Sequence, residues 1–429
     1  MKITLSAEQV IYYLAFGAFL SMPLGTSPPV ICGALAALVW ILSGKPIKLR
    51  RAYLRQSWFW PVLLFIVLHW VGLLYSPDPG GLGIAFAKKT HYWLYGLAVA
   101  SISFAIFSPE KLIQAYLVGL AINTAVAIMQ LIGVFPMMNE ISYGLGLGYS
   151  SLAAYLVLGI LMASYYFREL NKKSTRILLG LLMAGYFFHL IILMGRVGFL
   201  TFLVLSPLIV RNVLREVGIF KISLVCVLLI ALMSLSPVVR NRVLLSVNQI
   251  KHHLNADPES AWGKEYTSYQ DRFYMWYGAV QIFLENPLFG VGTGGYTNAL
   301  KQRGKPEWPA IAHPHSNLLY MAVSFGLIGI FALVWLFWEM IRNAWKERNT
   351  PLGYFVLSTA LVIIVSGLVD TQIMDSSTAL LLSLATGLQN GFPKFAGLVT
   401  PAPISSLPIK SRSAGQPRPA LSAPEAEEH

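Results

Sequence analysis

The sequence predicts an all-α, polytopic integral membrane protein of about twelve transmembrane helices, and three observations predict it. Apolar runs long enough to cross a bilayer recur along the chain, among them 58–75, 112–134 and 318–338. Charged side chains make up 12% of the 429 residues, about half of what a water-facing surface carries, while 56% are apolar. The basic residues also gather on one side of the apolar runs. A single water-soluble globule is thereby excluded.

Taken in order, breaks at Pro, Gly and charge clusters delimit spans at 8–22, 28–43, 58–75, 91–107, 112–134, 149–167, 176–194, 197–211, 219–236, 316–340, 353–370 and 376–392. The eighth is short enough to tilt or to lie partly in the interface. Lys2 alone precedes the first run and no clear small-x-small cleavage site follows, so the first span is expected to be retained. Loops after spans two, four, six, eight and ten hold sixteen Lys and Arg, including Lys45, Arg51, Lys111, Arg168, Lys173, Arg211 and Arg342. The short loops opposite hold three, Lys88, Lys89 and Arg196. That asymmetry places both termini in the cytoplasm. It also makes the net charge of +13 mostly a topology signal, and no nucleic-acid partner is expected.

The expected organisation is therefore spans one to nine over 1–236, one large external loop over 237–315, spans ten to twelve over 316–392, and a cytoplasmic tail over 393–429. The tail is rich in Pro, Ser and Ala and too polar to bury a core, so it is expected to be disordered. The external loop contains a helical pattern over 269–286, with apolar residues at Phe273, Trp276, Tyr277, Val280, Ile282 and Phe283. Long loops are uncommon without a function, which directs the search for chemistry to this side.

Several chemistries are missing. Cys32 and Cys226 both lie in apolar runs and form no disulfide framework or thiolate metal site. There is no His-Glu-x-x-His, no Gly-x-Ser-x-Gly, no phosphate loop and no carboxylate cluster suited to a divalent metal. The run Gly290-Val291-Gly292-Thr293-Gly294-Gly295 resembles a dinucleotide fingerprint but lacks the alternating strand and helix, and reads as a glycine turn closing the amphipathic helix.

What remains is a set of external residues at span boundaries. Arg196 stands between two apolar runs, where an unpaired charge costs a few kcal/mol. It either snorkels to the headgroups or holds an anion, and the cost favours the anion. Arg272 opens the amphipathic helix, where a solvated or salt-bridged helix charge is the stronger account on local grounds alone. His313-Pro314-His315-Ser316-Asn317 directly precedes span ten, and a histidine at a cavity mouth suits proton abstraction from a hydroxyl. His69, His189, His252 and His253 read as packing or surface residues.

These residues resemble the O-antigen ligases of Gram-negative bacteria, within the wider O-antigen polymerase and ligase superfamily. The likeness is densest over 271–329: Arg272, the run Asn286-Pro287-Leu288-Phe289-Gly290-Val291-Gly292, and His315-Ser316 followed after nine residues by Gly326-Leu327-Ile328-Gly329. Gly195-Arg196 resembles the arginine that the family carries at a mid-chain external boundary. The resemblance implies a GT-C-like glycosyltransferase in the Gram-negative inner membrane with its active site in the periplasm. The donor would be undecaprenyl-diphosphate-linked O-antigen, the acceptor a sugar hydroxyl of lipid A-core, and the surroundings membrane lipid. No cofactor and no metal would be needed.

In that scheme His315 is the general base, with His313 as second choice. Arg196 and Arg272 hold the diphosphate, with Lys88 and Lys89 as weaker candidates that could equally anchor an interfacial helix. Ser316, Asn317, Gly326 and Gly329 support the site, and the orientation of His315 falls to Asn317 or Tyr320. The same arginines would serve an O-antigen polymerase or a protein O-oligosaccharyl ligase, where the acceptor differs. A transporter or flippase would instead need ionisable residues along a central path, and the spans hold few.

Overall fold

A computed structural model of the chain describes residues 5–138, 142–193, 195–214, 270–303 and 311–394, with scattered positions from 218 to 248. The greater part of the expected ninth span, the loop over 249–269 and the tail beyond residue 394 lie outside the described residues. The described chain is helical and contains no strand. Its helices are α1 (Ala7–Ser21), α2 (Ser27–Leu42), α3 (Lys45–Lys48), α4 (Arg50–Leu54), α5 (Phe59–Val71), α6 (Ile84–Lys89), α7 (Tyr92–Val99), α8 (Pro109–Leu131), α9 (Tyr149–Glu169), α10 (Lys173–Ile192) and α11 (Arg196–Val213). After the gap follow α12 (Gln270–Glu285), α13 (Tyr296–Arg303), α14 (Asn317–Lys346), α15 (Pro351–Ser366) and α16 (Ser376–Leu388).

Among the described residues, α8, α9, α10, α11 and α14 are each long and apolar enough to cross a membrane, and three shorter apolar helices cover Ser27–Leu42, Phe59–Leu74 and Pro351–Ser366. The starts are encoded locally. Ser6 and Gln9 form a capping box on α1, Pro occupies the first position of α8 and α15, and Asp375 caps α16 through the amides of Ser377 and Thr378. α9, α15 and α16 are buried almost throughout and form the centre of the bundle, whereas α10 faces outward along much of its length. In lipid, helix association relies on close packing and on hydrogen bonds between helices. Gly96 and Gly387 supply the packing between α7 and α16, since a Cβ on Gly387 would stand 2.1 Å from the Gly96 carbonyl oxygen. Asn212 supplies the bonding between α9, α11 and α15, donating to the hydroxyls of Ser164 at 3.0 Å and Tyr354 at 2.8 Å.

One expected span is shortened. The run 91–107 is helical only to Val99, because the carbonyls that follow are taken by other helices. Asn390 donates to the Ala100 carbonyl, Lys45 Nζ donates to Ser101 O at 2.9 Å, and the Ser103 amide donates to the Glu8 carboxylate. Hydropathy registers the apolarity of this segment but not its path, and irregular backbone is tolerated there because protein surrounds it.

The amphipathic helix expected over 269–286 is α12, and its apolar residues are only partly buried. Met275, Ala279 and Ile282 are buried, whereas Tyr277 and Val280 are 60% and 42% exposed. Ala279 and Ile282 pack with Tyr296 and Leu300 of α13 and Val323 of α14, and Glu285 pairs with Arg303. The glycine run after α12 forms turns with positive φ at Gly290, Gly292 and Gly294. Gly326, at φ 63° and ψ −148°, breaks α14. The break lets Val323 O and Ser324 O accept from the amides of Val291 and Gly292 at 2.8 and 3.0 Å, while the Leu327 amide donates to Pro287 O at 2.7 Å. Only glycine adopts that conformation readily.

Candidate active site at one end of the bundle

The segment Ala312–Asn317 enters the bundle through two special residues. Pro314 confines His313 to extended backbone. His315 has φ 48°, the one non-glycine residue with positive φ among those described. Strain of this kind persists where the surroundings over-determine it, and here they do. Ser316 caps α14, and its amide donates to Thr371 Oγ1 at 3.1 Å. Asn317 clamps the helix to the turn over 367–373: its amide donates to Gly367 O at 2.7 Å, its Nδ2 to Ile363 O at 3.3 Å, and its Oδ1 accepts from the Ile373 amide at 3.0 Å.

That clamp sets Asp370 against His315, with Nδ1 2.9 Å from Oδ1. A carboxylate can only accept, so Nδ1 carries a proton, and in the neutral imidazole Nε2 keeps its lone pair. The imidazole is 35% exposed and within reach of a ligand, while the carboxylate is 18% exposed. Three further donors hold Asp370: the Ser150 hydroxyl, Gln372 Nε2 at 3.2 Å and the Thr371 amide at 2.9 Å. Burial alone would raise the Asp370 carboxyl, but the hydrogen bonds from His315, Ser150 and the Thr371 amide hold it at about 2. It is therefore ionised wherever the protein works.

His313 lies with its ring 4.5 Å from that of His315, centroid to centroid. Burial, followed by the neighbouring His315 and Lys89, holds its imidazole down at about 4 despite Asp370, and its Nδ1 is buried without a protein partner. Lys89 reaches the same turn, donating from Nζ to Met374 O at 2.7 Å and lying 5.4 Å over the Phe86 ring. Burial lowers its ammonium, partly offset by Asp375. Lys88 is exposed.

Arg196 is the first residue of α11 and half-buried; a Cβ on Gly195 would lie 3.2 Å from the ring of Tyr149, the residue before Ser150. Arg272 is half-buried in the first turn of α12. The structure thus gathers His315, His313, Ser316, Asn317 and Lys89 around one turn. Gly326 and Gly329 act farther off: a Cβ on Gly329 would stand 2.3 Å from the Met321 carbonyl oxygen.

Neither Asn317 nor Tyr320 bonds the His315 ring directly: the Asn317 amide is engaged with backbone, acting only through the turn that carries Asp370, and the Tyr320 hydroxyl faces His69 Nε2 at 3.3 Å. Asp370, Ser150 and Gln372 were not singled out by the sequence reasoning, which sought cations at the span ends. The signal was there in Asp370 and Asp375, two carboxylates between adjacent apolar runs. His69 and His189 have ordinary buried partners: His69 Nδ1 donates to Phe65 O at 2.8 Å, and His189 Nδ1 lies 3.1 Å from Thr124 Oγ1. Among the described residues no group of three His, Cys, Asp or Glu side chains could hold a metal ion.

Fold and site together define a membrane protein of packed helices with a carboxylate-bound histidine at one end and Lys89 on the same turn. Residues 179–334 match the family model for O-antigen ligase, about a third of the chain. Over that stretch the chain is similar to the O-antigen ligase family. The match includes Arg196, Arg272, His313, His315, Gly326 and Gly329, while Lys88, Lys89 and Asp370 lie outside it. No curated protein matches the sequence.

Proposed function

We propose that this protein is an O-antigen ligase of the Gram-negative inner membrane. It transfers O-antigen polysaccharide from undecaprenyl diphosphate to a sugar hydroxyl of lipid A-core at the periplasmic face. The observation that carries the reading is the His315–Asp370 pair, which leaves Nε2 of the neutral imidazole with its lone pair. In this scheme Nε2 takes the acceptor hydroxyl proton, the oxygen attacks the anomeric carbon with inversion, and the bond to the diphosphate oxygen breaks. The imidazolium formed is stabilised by Asp370. The charge that develops on undecaprenyl diphosphate is met by Arg196 and Arg272, with Lys89 as a third cation and Lys88 as a weaker one. A positioned base of this kind contributes about 10²–10⁴-fold.

The sixteen-to-three division of basic residues supports a cytoplasmic position for both termini and a periplasmic one for the site. In this arrangement 1–236 and 316–392 supply twelve spans, 237–315 the periplasmic loop and 393–429 a cytoplasmic tail. Complementation tests the reading. The gene is expected to restore laddered lipopolysaccharide in a ligase-null strain and not in a polymerase-null strain, and His315→Ala or Arg272→Ala to abolish that rescue while lipid-linked O-antigen accumulates. Rescue of the polymerase-null strain instead would assign the acceptor to a second lipid-linked glycan.

A further inference from the structure

The two oxygens of the Asp370 carboxylate are held from different sides. Oδ1 accepts from His315 Nδ1 and from the Thr371 amide, each at 2.9 Å. Oδ2 accepts from the Ser150 hydroxyl and from Gln372 Nε2, the latter at 3.2 Å. Thr371 and Gln372 belong to the same turn as the carboxylate and move with it. Of these four donors, Ser150 stands on another helix, in the first turn of α9 and 220 residues earlier in the chain.

The proton of the Ser150 hydroxyl has one direction. Gln372 Nε2 also donates to Ser150 Oγ, at 2.8 Å, so the serine oxygen meets the NH2 end of the amide and its own hydrogen goes to Oδ2. Gln372 is 1% exposed and its Oε1 is buried without a protein partner. An unpaired buried acceptor is costly, so the amide is oriented by the two acceptors that Nε2 holds. One residue further along α9, Ser151 Oγ donates to Asp375 Oδ1 at 2.7 Å. Two adjacent serines thus tie the start of α9 to both ends of the turn over 370–375.

A hydroxyl that donates to a carboxylate stabilises its charge and weakens it as an acceptor for an imidazolium. The titratable groups beside the His315–Asp370 pair are His313 on the same segment as His315, Lys89 on α6 and Asp375 on the same turn as Asp370. All three remain when the Ser150 hydroxyl is removed. The carboxylate would then hold an imidazolium more tightly, and the base would be captured by a proton at higher pH.

We propose that Ser150 is a positioning residue for the base: its hydroxyl fixes the Asp370 carboxylate and sets the pH range over which His315 is free to take a proton. The proposal rests on the transferase reading above and adds how the pH response of that site is set.

The test uses the full chain in nanodiscs and two variants of equal shape, Ser150→Thr, which keeps the hydroxyl, and Ser150→Val, which replaces it by a methyl group. Diethyl pyrocarbonate attacks unprotonated imidazole, so its rate at His315 between pH 5 and 8, read by peptide mapping, follows the base without requiring transfer. In Ser150→Val the rise of that rate, and the acid limb of glycan transfer, should move up by about one pH unit, which leaves about tenfold less free base at the foot of the limb. In Ser150→Thr both should stay with wild type. Gln372→Met removes the other donor to Oδ2 and should move both curves the same way, which keeps the test open if Ser150→Val fails a thermal melt. Curves that coincide with wild type in the folded variants lacking a donor would make Ser150 a packing residue and overturn the proposal. Failure of the transferase reading has a different signature: no transfer from any lipid-linked glycan, while the modification curves still separate.

Discussion

Replacing Asp370 by Asn tests the dyad with the smallest change of shape. The carboxylate accepts from His315 Nδ1 at 2.9 Å, the Thr371 amide at 2.9 Å, Gln372 Nε2 at 3.2 Å and the Ser150 hydroxyl. An amide cannot satisfy all four donors. With its oxygen toward His315, its NH2 group meets the Gln372 NH2; with the reverse orientation, its NH2 meets Nδ1–H and drives the imidazole to the tautomer whose Nε2 carries the proton. Loss of the charge-assisted bond alone costs about 1.5–3 kcal/mol. That corresponds to roughly 10- to 150-fold in rate at 1.36 kcal/mol per decade. Trapping of the wrong tautomer extends the loss toward about 10⁴-fold, as in serine protease triads. We expect Asp370→Asn to lower kcat by about a hundredfold or more, with the donor KM within about twofold of wild type because the cations are untouched. The assay is transfer of lipid-linked glycan to lipid A-core by purified protein in nanodiscs, with a thermal melt as the check on folding. A folded variant whose kcat stays within threefold of wild type would refute the claim that Asp370 orients the base.

Three further outcomes are expected. Gly326→Ala should lower the melting temperature and abolish transfer, because φ 63° and ψ −148° are strained for any residue with a Cβ and that atom would stand 2.4 Å from Leu288 O; such strain costs about 1–3 kcal/mol before the clash, and a wild-type melt would refute it. His313 is held down at about 4, so the unfolded chain, with its imidazole near 6.5, binds a proton first as pH falls, and stability is lost between about 6.5 and 4. His313→Gln should therefore flatten the fall in thermal stability between pH 7.5 and 5 by about 2 kcal/mol, and an unchanged slope would show that His313 does not titrate in this way. Transfer should persist undiminished in excess EDTA, and an activity lost to EDTA and restored by magnesium would overturn the metal-independent scheme.

How far the sequence could be read depended on whether the relevant partners are close in the chain. His315, Ser316 and Gly326 were legible because their spacing lies within one continuous segment. The glycine turn after α12 was legible because several adjacent glycines have no use in a helix. Asp370 lies 55 residues beyond His315 and ends an apolar run, and only the Asn317 clamp brings the two together. Lys88 and Lys89 are equivalent in sequence, yet Lys89 bonds Met374 O and Lys88 is exposed, a difference fixed by the register of α6. The fourth span ended early at Val99 because Asn390, Lys45 and Glu8 take its backbone groups, and three such distant residues leave no local trace. Tyr277 and Val280 of α12 are apolar yet exposed, since a mixed apolar pattern does not say which side meets protein.

The bonds across the Gly326 break separate two kinds of variation. Residues 317–325 form a rod roughly 13 Å long at 1.5 Å per residue. It is fastened at one end to the turn that carries Asp370 and at the other to the loop that closes α12. The three bonds at that second joint, from Val291 N, Gly292 N and Leu327 N, are made by main chain alone. Side chains on the outer surface of α12 and α13 can therefore change without shifting the rod. Under the ligase reading, that surface is free to diverge with the chemistry of the glycan, while the placement of His315 is carried by backbone and passes unchanged from one variant to the next.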